Sequence, residues 1–152
     1  MERCLIEHRS SSPEETEELG ETLARSLKPG AVIALNGGLG SGKTCLAKGI
    51  ARGLGITETV TSPTYTIVNE YNARLGGQDI PLYHIDAYRL GSEEEFESTG
   101  AGEYIGTNGI AVIEWSGRIP RSIPPGAITI TIEITGPQNR IFRIDGMEPP
   151  AP

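Results

Sequence analysis

Between an apolar run, Val32 to Leu35, and a segment with helical spacing, the chain reads Gly37-Gly38-Leu39-Gly40-Ser41-Gly42-Lys43-Thr44. This is the pattern G-x-x-x-x-G-K-[ST], and its flanks tell more than the pattern alone: an apolar strand enters it and a helix leaves it. Glycines let successive backbone N–H groups turn inward around a phosphate chain. Lys43 is placed to reach the terminal phosphates, and the Thr44 hydroxyl to take a position on Mg²⁺. The helix beginning there adds the positive end of its dipole. A flexible glycine-rich turn with no ligand is the plainer alternative, and the strand and helix on either side weigh against it.

The rest of the chain alternates strands with helices, so the pattern predicts a three-layer α/β fold of the P-loop NTPase kind, with a central mixed, mainly parallel sheet. A short strand over Cys4 to Glu7 precedes Ser12-Pro13-Glu14-Glu15, which has the form of a helix start: Ser12 as N-cap, Pro13 at the first helical position, Glu15 closing a capping box. Leu19, Leu23 and Leu27 then share a face, and Lys28-Pro29-Gly30 ends the helix. In the helix after the loop, Leu46, Ile50 and Leu54 recur at spacing four, with Gly55 as its stop. Gly49 and Gly53 inside that helix point to close packing on the sheet. Thr66 to Tyr71 is strand-like. Ala127 to Thr135 and Arg140 to Asp145, around Gly136-Pro137-Gln138-Asn139, read as a C-terminal antiparallel hairpin. Residues 1–146 are taken as one nucleotide-binding domain and 147–152 as a short Pro-rich tail.

Two strands end in carboxylates. Ile80 to Asp86 reads Ile-Pro-Leu-Tyr-His-Ile-Asp; Ile110 to Glu114 reads Ile-Ala-Val-Ile-Glu, the continuous apolar run of a strand buried on both faces. Ligands of open α/β sheets sit beyond the carboxyl ends of the strands, so both acids can face the glycine loop. A P-loop NTPase needs one acid for the metal and a group to position the attacking water. The cleaner apolar run assigns the metal to Glu114 and water or the metal's surroundings to Asp86, an assignment open to reversal. His84 lies on the same side of its strand as Asp86, where a packed, hydrogen-bonded core histidine is the plainer reading. Arg89 can balance an acid or a phosphate. The hydroxyls of Val60-Thr61-Ser62-Pro63-Thr64-Tyr65 lie where nucleotide switches place a first switch loop; a strand-entry turn at Ser62-Pro63 is the alternative. Trp115, beside Glu114, is the only tryptophan and should report optically on the site.

A formal charge of −7 argues against a broad basic face for nucleic acid, so any contact with tRNA or DNA would run through a partner. Much of the acidity sits in Glu14 to Glu21 and Glu93 to Glu97, which read as solvated helix faces or as a surface for a basic partner. The apolar runs are strand-sized and no signal-peptide core follows the N-terminus, so the expectation is a cytoplasmic protein without a membrane segment. Cys4 and Cys45 form no metal or redox motif and read as structural thiols.

Taken together, Gly37 to Thr44, Ser62-Pro63-Thr64-Tyr65, His84-Ile85-Asp86-Ala87-Tyr88-Arg89 and Ile113-Glu114-Trp115, in this order, resemble the TsaE (YjeE) family of small bacterial P-loop ATPases. The resemblance extends from about Thr16 to the closing strands. It implies an ATPase that uses ATP and Mg²⁺ and acts with TsaB and TsaD in making threonylcarbamoyladenosine beside the anticodon of tRNA, resetting the transferase complex between turnovers. It also implies Lys43 on phosphate, Thr44 and Glu114 on Mg²⁺, Asp86 among the residues needed for hydrolysis, Thr64 in the switch-like loop and Trp115 beside the site. Two positions depart from the family pattern: Gly38, where most members carry Asp, and Gly117, where an acid often follows the tryptophan. Two other classes share the loop. A small-molecule kinase would need a lid, for which Arg118 and Arg121 are the candidates, and a nucleotide-dependent binding module would need no hydrolysis.

Overall fold

The computed structural model describes residues 4–61 and 67–147. Seven strands form one sheet in the order β1-β7-β6-β2-β5-β4-β3. The strands are β1 Cys4–Ser10, β2 Val32–Asn36, β3 Val68–Leu75, β4 Gln78–Asp86, β5 Ile110–Glu114, β6 Ile128–Ile134 and β7 Arg140–Met147; the helices are α1 Pro13–Ala24, α2 Lys43–Gly53 and α3 Glu93–Thr99. The centre of the sheet is parallel, β2 pairing with both β5 and β6 and β5 with β4, while β1 with β7, β7 with β6 and β3 with β4 are antiparallel. The expected C-terminal hairpin is present as β6 and β7, and β7 runs through Met147, one residue into the expected tail.

The layers follow from alternation on the central strands. Ile33 and Leu35 of β2 and Ile110 and Val112 of β5 join Leu19, Leu23, Leu46, Ile50 and Leu54 of the first two helices in one core. Val32 of β2 and Ala111 and Ile113 of β5 face the other way, against Leu90, Phe96 of α3 and Ile119. Both faces of β2 and β5 are thereby dry, which explains why these strands read as continuous apolar runs.

Helix α1 starts as predicted, with Pro13 in its first turn and the Ser12 hydroxyl accepting from the Glu15 N–H at 3.1 Å. The return half of the capping box differs: the Glu15 carboxylate accepts from the backbone N–H and the hydroxyl of Ser11, one residue earlier than expected. The glycines of α2 also need a correction. A β-carbon on Gly49 would run into the carbonyl of Glu17, and one on Gly53 would stand 2.6 Å from the β-carbon of Ala24, so both serve the contact with α1 and not the sheet. Gly20 reciprocates from α1, its would-be β-carbon 2.6 Å from the Leu46 carbonyl. Small residues on both helices let the two backbones approach, with Arg52 of α2 bridging Glu17 and Glu21 along the rim. Part of the acidic run of α1 is thus neutralised within the molecule.

This architecture delivers β2, β5 and β4 side by side with their carboxyl ends aligned. Leu35 pairs with Glu114, and Glu114 with Asp86, in one row across the sheet. The loop from β2 to α2 rises from that row.

Candidate phosphate-binding site

Asn36 ends β2, and the chain passes through the glycine loop to begin α2 at Lys43. Gly40 (φ 73°) and Gly42 (φ 105°) occupy the left-handed region, which a side chain at either position would resist. Gly42 is the helix N-cap and has no side chain to satisfy the first amides, leaving the start of α2 an anion-seeking terminus. A cleft of about 360 Å³ opens over this turn, lined by residues 39–45 together with Asp86, Tyr88, Glu114 and Trp115. A smaller cleft of about 150 Å³ adjoins it, sharing Gly40, Ser41, Gly42 and Cys45 and bounded by Pro13, Thr16, Pro137, Gln138 and Arg140. A larger cavity, about 600 Å³, lies elsewhere, between α1 and the β1–β7 edge, and includes none of the loop residues.

Lys43 is only 5% exposed. Its ammonium donates to the carbonyls of Gly37 at 2.7 Å and Gly38 at 2.8 Å, and lies 4.1 Å from the centre of the Trp115 ring. Burial lowers its pKa, an effect opposed by the charges of Glu114 and Asp86. Trp115 has a left-handed backbone (φ 59°), unique among the described non-glycine residues. A bulky residue in that region is under strain, and strain of this kind gathers at functional sites. Here it turns the indole beneath Lys43 and against Tyr88, whose ring is 4.8 Å away. Asn36 holds the turn after Trp115 in place: its side-chain oxygen accepts from the Ser116 hydroxyl at 2.8 Å and from the Gly117 N–H at 2.9 Å.

The two carboxylates sit in different surroundings. Glu114 is 3% exposed, accepts from the Thr44 hydroxyl at 3.1 Å and faces His84 Nε2 at 2.5 Å. Burial alone would raise its pKa, but the bond and charge of His84, the Thr44 hydroxyl and the Lys43 ammonium together bring it below the usual carboxylate value. Asp86 is half-buried and accepts from the Tyr88 N–H at 2.9 Å. Burial, reinforced by Glu114, raises its pKa, with the Tyr88 N–H opposing. The structure therefore favours a fixed ionised acid beside Thr44 and a more basic acid at the cleft wall. Among the described residues no group of three or more His, Cys, Asp or Glu side chains is placed to hold a metal ion unaided. One hydroxyl and one ionised carboxylate fit Mg²⁺, which keeps waters and takes substrate phosphates to complete its octahedron.

Residues 10–142 match the family described as threonylcarbamoyl adenosine biosynthesis protein TsaE. The chain belongs to the TsaE family. It is 42% identical to the tRNA threonylcarbamoyladenosine biosynthesis protein TsaE of Treponema pallidum over 138 residues, 91% of this chain and 96% of that protein. The TsaE protein of Bacillus subtilis is 42% identical over 135 residues, 89% of this chain and 82% of its own. The fold is similar to the crystal structure of Bacillus subtilis YdiB, with a TM-score of 0.79 and 34% identity over 97% of this chain and 89% of that one.

Of the residues named from the sequence, the TsaE-like loop, Asp86, Glu114 and Trp115 meet at one cleft. His84 lies 1% exposed beneath it as a partner of Glu114, its Nδ1 buried without a hydrogen-bond partner among the described residues. Thr61 is turned to β3, its N–H donating to the Tyr71 hydroxyl at 3.4 Å and its carbonyl accepting from Asn69. Arg89 is exposed and is not among the residues lining the cleft. Ser62 and Thr64 fall outside the described residues. Gly38 has open space where a side chain would stand.

The arginines considered as a kinase lid are otherwise engaged. Arg121 pairs with Glu93 and Glu94 of α3, the former buried, while Arg118 donates to the Leu90 carbonyl and lies over the Tyr88 and Trp115 rings. Cys45, half-buried, donates to the Pro13 carbonyl, and burial raises its thiol pKa, as suits a structural thiol. Sequence reasoning missed Tyr88 as a wall of the cleft, although it lies two residues beyond Asp86, and it missed Asn36 and Arg140, for which no local pattern spoke.

Proposed function

We propose that this chain is a Mg²⁺-dependent ATPase serving threonylcarbamoyladenosine modification of tRNA, acting with TsaB and TsaD to reset the transferase complex between turnovers. The observation that carries the nucleotide reading is the contact of Thr44 with Glu114, across 70 residues of chain, at the mouth of the glycine loop. A loop hydroxyl and a strand-end carboxylate in contact are the pair a P-loop NTPase uses for its metal. Mg²⁺, when bound there, would neutralise charge developing on the phosphates. Lys43 would exchange the Gly37 and Gly38 carbonyls for phosphate oxygens, and Asp86, with its raised pKa, would orient or deprotonate water.

The tRNA assignment draws on family membership and on the printed names of the Treponema and Bacillus relatives. The charge of −7 supports an indirect route to tRNA through partners. No helix among the described residues is long and apolar enough to cross a membrane.

The test is phosphate release from MgATP by the purified chain, alone and with its cognate TsaB and TsaD. Slow turnover that accelerates with the partners supports the proposal. Turnover that waits on an added small-molecule acceptor would place the chain among kinases, and nucleotide binding without turnover in any mixture would make it a binding module.

A further inference from the structure

Arg140 opens β7 and is partly buried against the glycine loop. Its guanidinium makes four hydrogen bonds, and each acceptor is a backbone carbonyl. Nε donates to Ser41 at 3.0 Å and Nη2 to Gly40 at 3.0 Å, while Nη1 donates to Gly136 at 2.9 Å and to Asn139 at 2.8 Å. One planar fork thus ties the β6–β7 turn to the loop, a geometry that lysine cannot reproduce.

We propose that Arg140 is a positioning residue that presets the phosphate loop, holding the Gly40 and Ser41 carbonyls outward and so fixing the peptide planes from which the loop amides are presented. The reasoning starts from the planar trans peptide, in which the carbonyl of one residue and the N–H of the next point in opposite directions. With the Ser41 carbonyl held on Arg140, the Gly42 N–H is directed away from it. With the Gly40 carbonyl held likewise, the Ser41 N–H turns back into the loop, where it donates to the Gly38 carbonyl at 3.2 Å. Left-handed glycines at 40 and 42 make other peptide orientations accessible, so without an anchor the loop would have to be ordered at the expense of binding.

Lys43 holds the loop's other side through the Gly37 and Gly38 carbonyls, but it must release them to meet a phosphate. Arg140 has no such second task. It is the anchor that persists through binding, and its effect should fall on affinity more than on the chemical step.

The proposal deepens the nucleotide reading and rests on it for its affinity readout alone; amide exchange in the nucleotide-free protein tests the anchoring separately. In Arg140→Ala, exchange of the Ser41 amide, which donates to the Gly38 carbonyl, should rise about tenfold or more, with β2 and β5 unchanged. The MgATP dissociation constant should rise about tenfold while turnover at saturating ATP stays within about twofold. Arg140→Lys should fall between wild type and Ala, and carries the same comparison should the Ala variant not fold. Unchanged loop exchange and affinity in Arg140→Ala would overturn the proposal, as would exchange that rises equally throughout the sheet. Loop exchange released by the substitution, in a protein whose wild type binds no ATP, would support the anchor and overturn the nucleotide reading.

Discussion

Asp86 and Glu114 stand opposite each other at the ends of adjacent parallel strands, yet their environments push them apart: burial raises the Asp86 pKa, while His84, Thr44 and Lys43 hold that of Glu114 down. Two like groups given opposite tendencies suit two jobs, an ionised metal ligand and a more basic group for water.

Glu114→Gln keeps the shape of the side chain and removes the charge. It should abolish Mg²⁺-stimulated phosphate release while nucleotide still binds. His84→Ala, which removes the partner that orients Glu114, should weaken the apparent Mg²⁺ affinity by roughly 10–100-fold, the usual cost of losing a group that orients a metal ligand. A magnesium titration of phosphate release measures both, and a wild-type Mg²⁺ midpoint in the His84 variant would remove that residue from the site.

Asp86→Asn should slow turnover by about 10²-fold or more if the carboxylate handles water. It should also stabilise the free protein at neutral pH. A carboxylate whose folded pKa lies above its unfolded value destabilises the fold when ionised, and the penalty fades as pH falls through the folded pKa and the group takes up a proton. The Asn variant should therefore melt higher than wild type at pH 7, and the gap should close on acidification. Its side-chain oxygen can still accept from Tyr88. A melting-temperature series against pH decides the sign.

Lys43 donates to loop carbonyls and lies against the Trp115 ring, so its engagement with a phosphate should change indole emission. MgATP should shift Trp115 fluorescence in the wild type. In Lys43→Ala the nucleotide affinity should drop roughly 30-fold or more, as expected for loss of one partner of a buried charge pair. Equal ATP affinity in the two proteins would leave the loop without its assigned function.

Local chemistry was legible in the sequence where it is written in consecutive residues. The loop, the Ser12 cap, the doubly buried run Ile110–Glu114 and the closing hairpin stand where the patterns place them. The β3–β4 hairpin was legible too but went unread: Gly76 and Gly77, both left-handed, join Leu75 to Gln78 in the two-residue turn that a Gly-Gly pair favours. What could not be read depends on tertiary approach. Nothing near Arg140 announces that it will reach Gly40 and Ser41, 100 and 99 positions earlier. Likewise Glu93 looks like one more acid of a solvated run until α3 carries it under Arg121. The two strand-end acids, Asp86 and Glu114, were legible as a pair facing the loop, and strand register supplied their geometry.

The α1–α2 contact supplies a prediction whose sign separates intrinsic propensity from packing. Within a helix, Gly→Ala is favourable by about 1 kcal/mol on propensity alone, so Gly49→Ala would stabilise an isolated α2. In the folded chain the new methyl meets the Glu17 backbone, which cannot swing aside as a side chain would. Separating the helices would loosen Leu19 and Leu23 from Leu46 and Ile50 in the core they share. Overpacking of this kind costs about 1–3 kcal/mol. Gly49→Ala should accordingly lower the melting temperature, by roughly 2–4 °C for each net kcal/mol lost in a chain of this size. Gly126→Ala, where a β-carbon meets nothing within 4 Å, is the control and should stay within about 0.5 kcal/mol of wild type. A Gly49→Ala protein that melts at or above wild type would mean that the helices are held less closely than their backbones indicate, and that propensity governs this position after all.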